Sequence, residues 1–126
     1  MLLDEGAPVM VATPFESRGH RVIRHGDVLE SGSTDDQVAV AAIVANAILL
    51  AVDRDMRLLV RRYASPNRLE RFKRLHLIFV GCKETLAPHR LEQAMTLIEH
   101  EWTIACDKAA RRMWISIEAH QMVSHR

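Results

Sequence analysis

At the centre of the chain stands the stretch Ile48-Leu49-Leu50-Ala51-Val52-Asp53-Arg54-Asp55. Five apolar residues, two of them β-branched, run directly into a pair of aspartates. An apolar run of this length that ends abruptly in charge is typical of a buried strand in a parallel sheet. Ligands bind at the carboxyl ends of the strands in open α/β sheets. The stretch therefore predicts a central strand that delivers acidic side chains to a binding edge.

The two aspartates allow two interpretations. Like charges at positions i and i+2 repel each other unless a cation lies between them, and a divalent metal ion would satisfy both carboxylates. Alternatively, Asp53 caps the helix that follows, and Asp55 interacts favourably with the amino end of its dipole. The stretch by itself leaves both interpretations open.

Length and composition bound the class of protein. A chain of 126 residues predicts a single domain, residues 1–126, with its own core, and a formal net charge of +1 points to no particular partner. The two cysteines, Cys82 and Cys106, form no CxxC pattern, which favours ordinary reduced, buried thiols and suits a cytoplasmic protein. The first residues lack the basic region of a signal peptide, and the longest apolar run, residues 38–52, is shorter than the ~20 residues of a membrane span. We therefore expect a cytoplasmic protein with no membrane partner.

Predicted strands and helices alternate along the chain. Strands are predicted over residues 1–3, 20–25, 48–52, 75–80 and 113–117, with residues 122–125 folding back on the last strand as a hairpin. Helices are predicted over residues 8–18 (kinked or shortened by Pro14), 36–46 (capped by Thr34 or Asp35), the region beyond Asp55, and 88–105. This alternation predicts an α/β fold with a mainly parallel sheet. The strand order 2-1-3-4-5 would place the first strand beside the central one.

That order would bring three acidic segments to one edge of the sheet. The segments are Asp4-Glu5 after the first strand, Asp35-Asp36 at the start of a helix, and Asp53 with Asp55 after the central strand. Right-handed crossovers reverse the chain direction each time, so the helix that begins at residue 35 starts at the same edge as the strand ends. We expect the carboxylates of these segments to lie close together.

Three blocks of the sequence resemble a known family. They are Leu2-Leu3-Asp4-Glu5-Gly6-Ala7-Pro8 with Gly19-His20-Arg21-Val22, then Gly32-Ser33-Thr34-Asp35-Asp36-Gln37-Val38, and finally Leu50-Ala51-Val52-Asp53-Arg54-Asp55-Met56. Together they resemble the short PIN-like domains, relatives of the VapC-type toxins of toxin–antitoxin pairs. The resemblance covers roughly the first half of the chain, and the second half matches only in outline.

The resemblance implies a three-layer sandwich and a metal-dependent endoribonuclease. In such domains carboxylates gather around one or two Mg²⁺ or Mn²⁺ ions, which prefer oxygen ligands. By position, Asp4, Asp35 and Asp53 would ligate the metal, Asp55 would be a fourth acid, and Glu5 and Asp36 are adjacent alternatives. The implied partners are an RNA substrate, an antitoxin protein and a second copy of the chain.

Three departures from the family pattern favour a second hypothesis. Ala51 replaces a threonine, Met56 replaces a phenylalanine, and Gly6 replaces an asparagine. The alanine removes a hydroxyl that could help to position the site. The alternative is therefore a catalytically silent PIN-like module that binds RNA or a partner protein.

A basic segment follows the central strand. Arg54, Arg57, Arg61 and Arg62 recur at helical spacing close to the predicted acids. Cations beside an acidic metal site are what a phosphate backbone would require. The alternative is a solvated helix face with i,i+4 ion pairs.

A haloacid-dehalogenase-like phosphatase and a zinc site fit the sequence less well than a PIN-like domain does. An apolar strand ending in Asp-x-Asp also opens the site of haloacid-dehalogenase-like phosphatases, but that motif normally lies near the start of the chain and needs a later lysine and further acids, and the acids after Asp55 show no such block. The seven histidines form no HExxH and no paired Cys/His spacing, which argues against zinc.

Overall fold

The computed structural model describes residues 1–55, 72–107 and 112–125. Within these residues the strands are β1 (Leu2–Leu3), β2 (Ile48–Ala51), β3 (His76–Val80), β4 (Trp114–Ile117) and β5 (Met122–Ser124). The α-helices are α1 (Thr13–Glu16), α2 (His25–Val28), α3 (Asp35–Val44) and α4 (Ala87–Asp107), and a 3-10 helix (Val9–Ala12) precedes α1. The α/β class is confirmed.

The described strands form one mixed sheet in the order β1-β2-β3-β4-β5. The first three neighbouring pairs are parallel, and β4 and β5 are antiparallel. The hairpin predicted at the end of the chain is therefore confirmed. The predicted pairing of the first strand with the central strand is also observed, with Leu3 opposite Leu50.

The central strand is buried on both faces of the sheet. Leu50 packs in one apolar cluster with residues of α1 and α4, whereas Leu49 and Ala51 pack in a second cluster with residues of α3. All three side chains are fully buried. Successive residues of a strand point to opposite faces, so a strand covered on both sides needs an unbroken apolar run, which is what the sequence provides.

The predicted strand order 2-1-3-4-5 is wrong because residues 20–25 do not form a strand. This segment makes a single parallel bridge, between Ile23 and Leu2. Asp27 then accepts a hydrogen bond from the Arg24 backbone N–H at 3.2 Å, and the chain enters α2 at His25. The segment holds only two apolar residues among charged and polar ones, so it has little to gain from extending along the sheet.

The segment predicted as a helix over residues 8–18 is divided in two. A 3-10 helix leads into α1, and Pro14 lies in the first turn of α1. Proline lacks an N–H and cannot continue the hydrogen bonds of a preceding helical turn, so the predicted shortening is confirmed. The segment ends at Gly19, whose φ of 81° is left-handed and closes the turn, as expected of a glycine at this position.

Helix α3 begins with a reciprocal cap. The Thr34 hydroxyl accepts from the Gln37 N–H at 3.2 Å, and the Thr34 N–H donates to the Gln37 side-chain oxygen at 2.8 Å. Of the two predicted caps, Thr34 is the one observed. The helix ends two residues earlier than predicted, because Asn46 adopts a φ of 49° and the Ala47 N–H bonds back to the Ala42 carbonyl at 2.9 Å.

Helix α4 lies along one face of the sheet. Of its predicted apolar stripe, Leu91, Met95 and Ile98 are buried in the core, and Trp102 packs against the same cluster while remaining partly exposed. In the portions of the chain that the structure describes, no helix has both the length and the apolar character needed to cross a membrane.

We predict that Leu50→Ala destabilises the protein by about 2–5 kcal/mol, the range for truncating a fully buried leucine. Urea unfolding followed by circular dichroism measures this free energy. Val44→Ala is the control, since Val44 is 81% exposed on α3 and its truncation creates no cavity. Equal effects of the two substitutions would contradict the placement of β2 at the centre of the core.

Candidate functional site

The carboxyl edge of the sheet holds the acidic residues that follow β1 and β2. Leu3 pairs with Leu50, and the Asp4 N–H donates to the Leu50 carbonyl at 3.0 Å. Asp4 therefore leaves the sheet beside the end of β2, and Asp53 lies two residues beyond that end. The parallel pairing of two strands thus brings two carboxylates from distant parts of the sequence to one place.

Asp35 joins them from the first residue of α3. Its carboxyl pKa is raised from the usual 3.8, first because the side chain is partly desolvated, and then by the negative charges of Asp4, Asp53 and Asp55, with Asp36 contributing last. A mutual effect on pKa requires the charges to be close. The structure therefore brings together Asp4, Asp35, Asp53 and Asp55, and their roles in binding remain a prediction.

Asp4 is more desolvated than either Asp35 or Glu5. Burial is the largest cause of its raised pKa, and the charges of Asp53 and Glu5 raise it further. The backbone N–H of Glu5, which donates to Asp4 Oδ1 at 2.9 Å, and the nearby His25 act in the opposite direction. Asp4 is thus held in a fixed orientation at an electrostatic cost.

Glu5 has a different environment from its neighbour. Its carboxylate accepts hydrogen bonds from the Ser31 hydroxyl at 2.6 Å and from the Gly32 N–H at 3.1 Å. These two bonds lower the pKa of its carboxyl group, although the side chain is exposed. Glu5 therefore ties the end of β1 to the loop that leads into α3, and this loop positions Asp35.

Asp53 makes one hydrogen bond of the kind expected if it caps a following helix instead of binding a metal ion. Its Oδ1 accepts a hydrogen bond from the Asp55 N–H at 2.9 Å, which turns the chain immediately after β2. The helix predicted beyond Asp55 lies outside the described residues. A carboxylate oxygen that accepts one N–H retains further acceptor capacity, so this bond orients Asp53 without excluding a cation.

The chemistry of this cluster suits a metal ion, but the arrangement of its side chains does not. The donor chemistry suits a hard divalent cation, because carboxylates that raise one another's pKa gain from a positive charge between them. In the described part of the chain, however, no group of three or more Asp, Glu, His or Cys side chains is arranged to hold a metal ion. The carboxylates are close enough to repel one another but do not converge on a single point.

His25 is a residue of this region that the sequence analysis missed. It is 7% exposed, and its Nε2 has no hydrogen-bond partner among the described residues. With Asp4 and Glu5 it lines an open cavity of about 270 Å³. Nothing in the pattern of seven histidines distinguishes it, since its burial follows from the start of α2 directly after the bridge at Ile23.

Of the predicted basic residues, only Arg54 lies in the described part of the chain. It is exposed and lines a cavity of about 320 Å³ together with Lys83, which follows β3 at the same edge of the sheet. The other three, Arg57, Arg61 and Arg62, lie outside the described residues. Lys83 is a second exposed cation at this edge of the sheet that the sequence analysis did not single out.

Comparison with models of protein families, with curated proteins and with solved structures finds no match to this chain. The resemblance to PIN-like domains therefore rests on the three sequence blocks. The assignment of a function rests on those blocks and on the geometry described above.

We predict that Asp35→Asn raises the melting temperature by a few degrees at pH 7. The folded-state pKa of Asp35 lies above the ordinary 3.8, so the folded protein binds this proton more readily than the unfolded chain does. The ionised carboxylate therefore costs stability at neutral pH, and the cost disappears as the pH falls through the folded-state pKa towards 3.8. Thermal unfolding at pH 7 and near pH 4 should show the gain shrinking with acid.

Asp36→Asn is the matched control for this prediction. Asp36 lies at the same helix end, where a carboxylate is favourable to the helix dipole, and it contributes least to the raised pKa of Asp35. We expect no gain in melting temperature from this change. A loss of stability in Asp35→Asn equal to that in Asp36→Asn would show that the carboxylates are not clustered.

Proposed function

We propose that this protein is a PIN-like, metal-dependent endoribonuclease built as a three-layer sandwich. The observation that carries the proposal is the parallel pairing of β1 with β2, which places Asp4 beside the end of the strand that Asp53 follows, with Asp35 near enough for both charges to raise its pKa. Clustered carboxylates without a cation destabilise a fold, so a cluster of this kind is favoured where it binds a positive charge. The resemblance of the three sequence blocks supplies the class of substrate, RNA.

Different residues of the chain would bind the metal ion and orient its ligands. Asp4, Asp35, Asp53 and Asp55 would hold Mg²⁺ or Mn²⁺ through their carboxylate oxygens. When bound, such an ion activates water and offsets the charge of the attacked phosphodiester. The backbone N–H groups of Glu5 and Asp55 orient the Asp4 and Asp53 carboxylates, which reduces the freedom lost on binding.

Neighbouring residues support the same chemistry. Arg54 and Lys83 are exposed cations at the carboxyl edge, where they can contact the phosphates on either side of the cleaved bond. Glu5 would act as a positioning residue, because it holds the loop before α3 through Ser31 and Gly32. An antitoxin partner and a homodimer belong to the proposal through the resemblance alone, and a cytoplasmic location belongs to it through the cysteine pattern and the lack of a signal peptide.

One observation favours the silent alternative. The described residues contain no ready three-donor group for a metal ion, and Asp53 already serves to turn the chain after β2. A PIN-like module that has lost cleavage would keep the fold and bind RNA or a protein. Metal binding and RNA cleavage, measured separately, distinguish the two functions.

We predict that the purified protein cleaves single-stranded RNA in Mn²⁺ or Mg²⁺ and that EDTA abolishes cleavage. Asp4→Asn and Asp53→Asn should each reduce the rate by at least about 100-fold, because even residues that only support metal ligands cost 10–100-fold when changed. Gel electrophoresis of a labelled RNA gives the rate. Glu92→Gln removes an exposed carboxylate on α4 that is not among the charges acting on Asp4 or Asp35, and it should leave the rate unchanged.

Each other outcome of these measurements has its own meaning for the proposal. Equal trace cleavage by the wild type and both aspartate variants would indicate a contaminating nuclease and contradict the proposal. Stabilisation by Mn²⁺ in thermal unfolding, without cleavage of this RNA, would indicate a strict requirement for a particular RNA substrate, and the absence of both would support the silent module. Growth inhibition on expression that Asp53→Asn relieves would support the toxin assignment.

A further inference from the structure

The cavity lined by His25 adjoins the carboxylates at the carboxyl edge of the sheet. It is bounded by the end of β1, by the start of α2 and by the loop before α3. Its volume of about 270 Å³ is slightly below the usual range for drug-sized ligands. We call it the His25 cavity. Because Asp4 is both a lining residue and a proposed metal ligand, the cavity lies directly beside the proposed metal site.

The His25 cavity has a buried floor and an exposed rim. Leu3 and His25, which are 4% and 7% exposed, form the floor. Val9, Gly26 and Ser31 are exposed and form the rim. A molecule that fills the cavity therefore meets an apolar side chain and an imidazole ring at its deepest part.

The imidazole of His25 brings a polar group without a partner to this floor. Its Nε2 is buried and forms no hydrogen bond with any described residue. Buried polar groups of folded proteins are almost always hydrogen-bonded, and an unpaired one is unfavourable. A neutral imidazole nitrogen either donates or accepts, so a ligand with both kinds of group on its edge can pair with it in either tautomer. The floor therefore favours a ligand with a polar edge.

The acids at the wall of the cavity select against an anionic ligand. The carboxylates of Asp4 and Glu5 both line the cavity, and a second negative charge beside them would be repelled. Arg24 also lines the cavity, but its guanidinium donates to the Glu16 carboxylate at 3.2 Å. A neutral group therefore fits this cavity better than a phosphate or a carboxylate does.

Apolar side chains complete the lining. Leu3, Ala7 and Val9 contribute hydrocarbon surface, and Val9 is 71% exposed. A nucleobase is neutral, has two flat faces, and carries hydrogen-bond donors and acceptors on its edge. Proteins that read single-stranded RNA bind unstacked bases by packing against these faces and by hydrogen bonds to the edge. The apolar wall and the polar floor of the His25 cavity supply both kinds of contact.

We propose that the His25 cavity binds a nucleobase of the RNA, next to the phosphodiester that is cleaved. His25 is the specificity-determining residue, because its Nε2 hydrogen-bonds with the edge of the base, and Val9 packs against a face of the base. The position beside the cleaved bond rests on the proposed ribonuclease function. The binding of a free nucleoside in the cavity does not.

Titration with free nucleosides tests the cavity without relying on cleavage. Each of the neutral ribonucleosides is added to the protein in EDTA, with ribose as the control for the base. NMR follows the ring of His25 and the amide of Ala7, which both line the cavity, and the exposed His89 ring on α4 is the internal reference. We expect at least one nucleoside to shift the His25 and Ala7 signals, with no shift of His89 and none caused by ribose.

Two substitutions change the cavity in different ways. His25→Gln removes the imidazole, and Gly26→Leu adds a side chain where a Cβ would meet no atom within 4 Å. Each should weaken nucleoside binding, measured at the Ala7 amide, at least about fivefold, because the first removes a hydrogen bond and the second occupies space at the rim. His89→Gln should bind as the wild type does.

The second substitution keeps the proposal testable if His25→Gln unfolds the protein, because Gly26 is exposed and has room for a side chain. The absence of a shift with every nucleoside would overturn the proposal. Binding that is unchanged in Gly26→Leu and in a folded His25→Gln would overturn it as well.

Cleavage of an RNA of mixed sequence locates the cavity relative to the cleaved bond. We expect the wild type to prefer sites that carry the bound base at one fixed position beside this bond, and His25→Gln to lose at least about fivefold of the preference. Nucleoside binding with neither metal binding nor cleavage would support the base site and contradict the ribonuclease. Metal-dependent cleavage without nucleoside binding would support the ribonuclease and overturn the base site.

Discussion

The parallel pairing of β1 with β2 is the constraint on which the rest of the site depends. β1 spans only Leu2–Leu3, yet it is bonded on both sides, because the Leu3 N–H donates to the Ile23 carbonyl at 2.9 Å and Asp4 donates to Leu50. This pairing places the end of β1 beside the end of the central strand. The first acid of the chain thereby meets the acids that follow β2, although about fifty residues separate them in the sequence.

The cluster that results is electrostatically unfavourable when no cation is present. Burial and like charge raise the carboxyl pKa of both Asp4 and Asp35, whereas hydrogen bonds to Ser31 and Gly32 lower that of Glu5. Adjacent acids thus have opposite environments. Glu5 stabilises a loop through its hydrogen bonds, whereas burial and like charge disfavour the ionised form of Asp4. Unfavourable local interactions persist where function requires them, which is why this edge of the sheet is the candidate site.

The sequence predicts those features that depend on local pattern. The buried central strand, the Thr34 cap, the long helix and the terminal hairpin all follow from apolar runs, periodicity and capping residues. It does not predict the short α2 in place of a strand, because a capping bond from Arg24 to Asp27 competes with extension there. It also misses the burial of His25 and the bonds of Glu5 to its loop, since both depend on which distant segments meet in the fold.

The most direct test is the carboxyl pKa of Asp35, measured by NMR titration of the wild type and of Asp53→Asn without metal. We predict a value above 3.8 in the wild type and a lower value in the variant, because one neighbouring negative charge has been removed. A pKa at or below 3.8 in both proteins would contradict the clustering of the carboxylates. The proposed metal site would then lose its physical basis.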